Sequence, residues 1–225
     1  MAAAGTERPK NGAALDAFAE EVAGCTRCVL SRTRTQVVFG SGSPSASLMF
    51  VGEAPGFHED RQGLPFVGAA GALLGKLIEG IGLRREDVWI CNVLKCRPPG
   101  NRDPRPEEIE ACESHLFRQI ELIGPRVVVT LGNFATKLLS GGSDGITRVH
   151  GVEQDVVLGG RRVLLYPIYH PAAALYTPRM LEVLSADFQR LPELLAREAE
   201  PIAPLPPLRP LGPVSAEPAL QLGLF

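Results

Sequence analysis

Residues Leu48 to Phe66 read LMFVGEAPGFHEDRQGLPF, and the rest of the chain is organised around them. The run Leu48-Met49-Phe50-Val51 is continuously apolar and short, which predicts a buried strand. Gly52-Glu53-Ala54-Pro55-Gly56 cannot continue a central strand, so the backbone turns there. In an open α/β sheet the turn at the carboxyl end of a strand is where ligands bind. This turn carries one carboxylate, Glu53, and glycine N–H groups that a ligand can approach. Phe66 follows in a loop between Pro65 and Gly68. A carboxylate turn with an aromatic ring nearby suits a flat polar ligand such as a base. The alternative is a plain strand exit with a capping Glu and a core Phe.

Working outward, Ala13 to Gly24 has helical apolar spacing at Ala14, Leu15, Phe18 and Val22. Gly71 to Ile81 places Leu73, Leu74, Leu77, Ile78 and Ile81 on one helical face. Val88 to Val93 is a second strand, leading into Asn92-Val93-Leu94-Lys95-Cys96-Arg97-Pro98-Pro99-Gly100. Arg105 to Ile123 reads as a helix, with Pro106 in its first turn and Glu107-Glu108 beside it. Arg126 to Leu131 is a third strand, and Gly132-Asn133 opens a short helix to Leu139. Val152–Val157 and Val163–Ile168 are strands joined by a Gly159-Gly160 turn. Tyr169-His170-Pro171 closes the last of them, and Thr177-Pro178 begins a helix running to about Glu198.

Strands alternating with helices predict an α/β fold, a three-layer α/β/α sandwich around a central, mainly parallel four-stranded sheet. Glu53, Asn92 and His170 then all fall at carboxyl ends of strands and converge on one edge. Residues 1–11 read as a disordered N-terminus and 12–198 as the globular domain. The last 25 residues hold seven prolines and almost no charge, so 199–225 reads as an extended flexible tail.

The chain has 225 residues and a formal net charge of -2, so no global field draws it to nucleic acid. Local charge differs: Arg84, Arg85, Lys95, Arg97, Arg102 and Arg105 face only Glu86, Asp87 and Asp103 in that stretch. Such a patch can follow phosphates, although any one arginine is ordinarily just solvated. No apolar run is long enough to span a bilayer, and the N-terminus lacks the apolar core of a signal peptide. A cytoplasmic protein with no membrane attachment is expected, and disulfides are not. Cys25 and Cys28 form a CxxC pair, Cys96 lies beside prolines, and Cys112 sits on a helix. Four such thiolates can close a tetrahedral site for zinc or an iron–sulfur cluster, and the ligands alone do not separate the two. Cys91, inside an apolar strand, reads as a small buried hydrophobe; a cysteine hydrolase built on it is the competing reading.

These residues also carry a resemblance. Gly52-Glu53-Ala54-Pro55-Gly56, Glu59-Asp60, Pro65-Phe66-Val67-Gly68, the Asn92-to-Pro99 segment and His170-Pro171 resemble family 4 uracil-DNA glycosylases, iron–sulfur enzymes of the uracil-glycosylase superfamily. The likeness runs in order from Cys25 to about Leu191. It implies a monofunctional hydrolase of N-glycosyl bonds in base excision repair. It also implies a [4Fe-4S] cluster on Cys25, Cys28, Cys96 and Cys112. A uracil nucleotide would be extruded into the pocket. Phe66 would stack on it, Asn92 would read its O4/N3 edge, and His170 would stabilise charge growing on O2. Gly52, Ala54 and Glu59 would line the pocket. Ala54 stands where the best-known uracil glycosylases have a water-positioning Asp, which leaves Glu53 as the nearby carboxylate. The segment after His170 resembles a loop that enters the minor groove, with Leu175 or Tyr176 filling the gap left by the base. Tyr176 occupies a place where many relatives have an arginine. Arg97, Arg102 and Arg105 would meet the backbone of uracil-containing DNA. A related branch traps uracil on a histidine, and PPGNRDPRPEE contains none, so turnover is expected. A binding module without catalysis remains the alternative.

The chain ends in Gln221-Leu222-Gly223-Leu224-Phe225. This resembles the pentapeptide that docks into the bacterial DNA sliding clamp, with Gln221 hydrogen-bonding and Leu222, Leu224 and Phe225 filling an apolar groove. It implies a bacterial host. The globular domain itself is expected to be a monomer.

Overall fold

The computed structural model describes residues 10–197. The N-terminal residues before these, and the tail with Gln221, Leu222, Leu224 and Phe225, lie outside the described residues. Helix α1 spans Lys10–Ala23, starting a few residues before the apolar periodicity does. Strand β1 (Ser41–Gly42) and strand β2 (Leu48–Gly52) follow. Next come α2 (Phe57–Gln62), α3 (Ala69–Gly80) and β3 (Trp89–Asn92). Helix α4 (Pro106–Ile123) leads to β4 (Val127–Leu131), α5 (Asn133–Ser140) and α6 (Ile146–Val149). Strands β5 (Gln154–Leu158) and β6 (Arg161–Ile168) precede α7 (Pro171–Ala174), α8 (Pro178–Gln189) and α9 (Leu191–Ala196). No helix among them is long and apolar enough to cross a membrane.

The sheet has six strands in the order β1-β3-β2-β4-β6-β5, two more than the four expected. The inner four, β3, β2, β4 and β6, are parallel. The additions are antiparallel edges. β5 pairs back on β6 through Gly159 and Gly160, both at positive φ (56° and 72°), as a two-residue hairpin turn requires. β1 is two residues long, and its pairing with Trp89 and Ile90 holds it in place.

β2, β3 and β4 are buried on both faces, as is β6 from Leu165 on, and successive side chains go to opposite layers. Met49 and Val51 join Cys91, Val128 and Leu165 under α1, α4 and α5, through Leu15, Leu116, Ile120 and Leu139. Leu48 and Phe50 join Ile90, Val129, Tyr166 and Ile168 under α3, α8 and α9, through Leu74, Ile78, Leu184, Phe188 and Leu194. This is the expected three-layer sandwich.

The start signals of α4 operate as read: Pro106 takes the first turn, and the Glu108 carboxylate accepts the Arg105 N–H at 3.0 Å. The C-terminal helix differs from the reading. It breaks at Arg190, because Pro192 lacks an N–H and its ring would clash with the preceding turn, so α8 and α9 are separate.

Phe188 stacks on Phe50 with ring centroids 5.6 Å apart, and is 1% exposed. Phe188→Ala should cost about 3–5 kcal/mol of unfolding free energy, read from urea denaturation of both proteins.

Candidate active site

Parallel pairing brings the ends of β2, β3 and β6 to one edge. Gly52 is in register with Asn92, and the pairing continues past the strands: Val93 N–H donates to the Gly52 carbonyl (2.9 Å) and Leu94 N–H to that of Glu53 (3.0 Å). A cleft of about 680 Å³ opens there, a volume suited to a small-molecule site. Glu53, Ala54, Glu59, Phe66, Asn92 and His170 all line it. Three segments far apart in the chain therefore meet around one cavity, as the strand-end reading expected.

The floor is set by an absent side chain. A Cβ on Gly52 would collide with Asn92 Oδ1 and would stand 2.6 Å from the Phe66 ring. Asn92 is 2% exposed, yet among the described residues its side-chain amide makes no hydrogen bond. Its donor and acceptor remain for a ligand. Phe66 lies against the His170 ring, with centroids 5.7 Å apart and planes 28° apart.

Phe66 has a φ of 53°, a left-handed conformation that costs a non-glycine residue about 1–3 kcal/mol. Its neighbours hold it there. Glu59 Oε1 accepts the N–H groups of Val67 (2.9 Å) and Gly68 (3.1 Å). From the other side Arg85 donates to the carbonyls of Pro65 (3.0 Å) and Gly71 (3.3 Å). Glu59 thus lines the cleft as expected, but this carboxylate oxygen is committed to the loop that presents Phe66.

His170 caps α7: its Nδ1 accepts the Ala172 N–H at 3.1 Å. That bond leaves the ring proton on Nε2. Burial lowers the His170 pKa from its ordinary value, and an Nδ1 already facing an N–H donor disfavours protonation further. The result is a neutral imidazole with a fixed tautomer. Burial raises the Glu53 carboxyl, and the charge of Asp103 adds to this.

The basic stretch divides in a way its sequence does not show. Lys95 is 1% exposed. Its ammonium donates to the Asn92 carbonyl (2.7 Å) and to Gln119 Oε1 (2.5 Å), so it buttresses the strand end from inside and is not available to phosphate. Arg85 holds the Phe66 loop. Arg102 lines the cleft but pairs through both guanidinium nitrogens with the buried Glu108. Arg84 pairs with Asp87 and Glu86. Arg105 is exposed, and Arg97 is partly buried beside the cleft. Beyond His170, Leu175 is partly buried and Tyr176 is 90% exposed.

The four cysteines of the candidate metal set also meet. Cys25, Cys28, Cys96 and Cys112 line a common pocket between α1, the loop after β3, and α4. Hydrogen-bond donors surround them. The Lys95 N–H reaches Cys112 Sγ at 3.3 Å, Arg34 reaches Cys96 Sγ at 3.4 Å, and His115 Nε2 lies 3.4 Å from Cys25 Sγ. Burial pushes the Cys96 thiol up to about 11 and raises Cys112 as well, so metal binding there must displace protons. Among the described residues, no three His, Cys, Asp or Glu side chains are close enough to clasp one ion. Cys91 is fully buried and its thiol is raised by that burial, which makes it a poor nucleophile.

Gly52→Ala should leave the circular-dichroism spectrum and cooperative unfolding in place while binding of uracil-containing DNA, the ligand that the resemblance implies, collapses, since the new methyl occupies the space of Asn92 and Phe66. Glu59→Ala should lower kcat/KM about tenfold or more by freeing two loop N–H groups. Glu59→Gln, which keeps an acceptor oxygen, should lose less in the same steady-state assay.

Comparison with known proteins agrees with this geometry. A profile of the Uracil DNA glycosylase superfamily matches residues 39–193. A type-4 uracil-DNA glycosylase of Archaeoglobus fulgidus is 48% identical over 188 residues, covering 82% of this chain and 94% of that protein. One from Thermotoga maritima is 43% identical over 187 residues, covering 82% and 96%. A type-5 uracil-DNA glycosylase of Pyrobaculum aerophilum is more distant, 33% identical over 177 residues, covering 70% and 73%. By these sequence matches the chain belongs to the uracil DNA glycosylase superfamily, in its type-4 branch.

Proposed function

We propose that this protein excises uracil from DNA by hydrolysing the N-glycosidic bond, leaving an abasic site for repair. The observation that carries this is the shared cleft in which the Phe66 ring, the uncommitted Asn92 amide and the neutral His170 meet. A uracil extruded from the helix stacks on Phe66 without its sequence context being read. Asn92 donates to O4 and accepts from N3–H. Cytosine presents the reverse pattern, and a buried polar group left unmatched rejects it.

As the C1′–N1 bond breaks, its electron pair passes to the base and the sugar gains oxocarbenium character. The negative charge spreads to O2, where the His170 Nε2–H donates to it. Water adds to C1′, and the proton it loses neutralises the departing uracil anion, directly or through solvent, so that neutral uracil leaves. Glu53, half-buried beside the turn, holds that water in place of the aspartate that Ala54 lacks. Gly52 and Ala54 offer backbone to the base. Arg97, Arg102 and Arg105 face the DNA backbone, with Arg102 also fixing the loop through Glu108. Leu175 and Tyr176 fill the gap left in the stack.

The donor set around the second pocket fits an iron–sulfur cluster. Four sulfurs lining one pocket, with N–H groups aimed at them, can serve zinc or an iron–sulfur cluster, and the resemblance to iron–sulfur family 4 enzymes favours the cluster. Cys25, Cys28, Cys96 and Cys112 would hold [4Fe-4S]. Bound there, it would tie the segment after α1 to the Cys96 loop and α4. Residues 12–198 are then the catalytic unit, acting as a monomer in a bacterial cytoplasm. The Pro-rich 199–225 tether presents Gln221, Leu222, Leu224 and Phe225 to the sliding clamp.

Wild-type protein should release free uracil from a uracil-containing oligonucleotide. His170→Ala should lower kcat about 10²–10³-fold, and Asn92→Ala should lose excision and discrimination against cytosine together. Full excision by both variants would remove the site assignment. Because burial lowers the His170 pKa, the neutral form persists above it. Excision should hold level at neutral pH and fall only on the acid side, with a midpoint below about 6.5. That limb should survive Glu53→Gln and vanish from the residual activity of His170→Asn. The purified protein should contain iron and sulfide in equal amounts, and Cys112→Ser should lose both.

A further inference from the structure

Phe57 is the first residue of α2, and its ring is 45% exposed. One exposed apolar residue needs no explanation, but this one has organised surroundings. Arg97 Cζ stands 5.1 Å and Arg61 Cζ 5.6 Å from the ring centroid, each over the ring. The His58 ring meets it edge-on at 5.4 Å. Arg97 is itself steered: its Nε donates to Asn101 Oδ1 at 2.7 Å, and Asn101 is held at a φ of 54°. Phe57, His58 and Asn101 line the same cleft as Phe66 and Asn92. An aromatic ring with two guanidiniums at the rim of a base-binding cleft has both features that single-stranded nucleic acid is bound by, a stacking surface and cations for the phosphates.

We propose that Phe57, with Arg61 and Arg97, is a second base-binding station. It takes the unpaired nucleobase next to the extruded uracil, and so favours uracil in single-stranded DNA. This rests on the excision reading above and adds a substrate preference to it. In a duplex the neighbouring base is paired and stacked, and bringing it to Phe57 costs a further unstacking. In a single strand that base is free to turn. The occupant follows from charge and position: the guanidiniums call for a polyanion, and the station continues the cleft that receives the uracil.

The test uses full-length wild type, Phe57→Ala and Phe57→Tyr, with one uracil oligonucleotide offered single-stranded and as a duplex. Phe57→Ala should lower kcat/KM on the single strand about tenfold, with a much smaller loss on the duplex, and Phe57→Tyr should restore the single-strand value. In parallel, 2-aminopurine is placed beside 2′-fluoro-deoxyuridine, whose glycosidic bond resists cleavage. Its emission should be quenched on binding wild type and Phe57→Tyr, and not on binding Phe57→Ala. Equal losses on both substrates, no loss on either, or quenching unchanged in Phe57→Ala would overturn the proposal. Absence of uracil release by wild type would instead defeat the excision reading, and the quenching measurement would still decide the role of Phe57.

Discussion

The site depends on how closely two parallel strands end beside each other. Gly52 and Asn92 are register partners, and beyond them the backbone stays paired through Val93 and Leu94. With no side chain at position 52, the Asn92 amide and the Phe66 ring occupy the space above the β2 end. The other parts of the cleft are placed relative to that contact. Glu59 and Arg85 grip the Phe66 loop from opposite sides, and Lys95 supports the Asn92 carbonyl from the core. His170 approaches from β6, its ring oriented by the Ala172 N–H. Much of the chemistry therefore comes from backbone geometry, with few side chains free to act.

Much of this was legible in the sequence for identifiable reasons. The inner strands are continuous apolar runs because both faces are covered, and Gly159-Gly160 announced the hairpin. Strand-end polar residues pointed to one edge, which is a property of parallel sheets in general. The family likeness implied roles for Phe66, Asn92 and His170 that spacing alone left open. What escaped was decided by tertiary context. β1 is a pair of residues, Ser41 and Gly42, with no pattern of its own. α2 has the polar sequence FHEDRQ and no apolar stripe. The direction of Lys95 and Arg85 was also invisible. A basic residue reads the same whether it faces phosphate or a buried carbonyl.

That last point changes the meaning of the basic stretch. Several of its charges are internal struts. Arg102 pairs with a Glu108 side chain that is wholly buried, and Lys95 is enclosed with only neutral hydrogen-bond partners. A buried ammonium is costly unless negative charge stands nearby. The cysteine pocket beside Cys112 is where such charge would collect once a metal held its sulfurs as thiolates, and the Lys95 backbone N–H points to that sulfur. One lysine thus touches both the Asn92 strand end and the cysteine pocket.

The topology also bears on how the protein is made. β2 and β4 pair at the centre of the sheet, yet β4 begins only at Val127. Parallel pairings across such separations are slow to form, because the intervening loop must be closed before any contact rewards it. More than half of the polypeptide must leave the ribosome before the sheet has a middle. Until then the nascent chain carries open strand edges, and the span of chain between β2 and β4 sets how long they stay open.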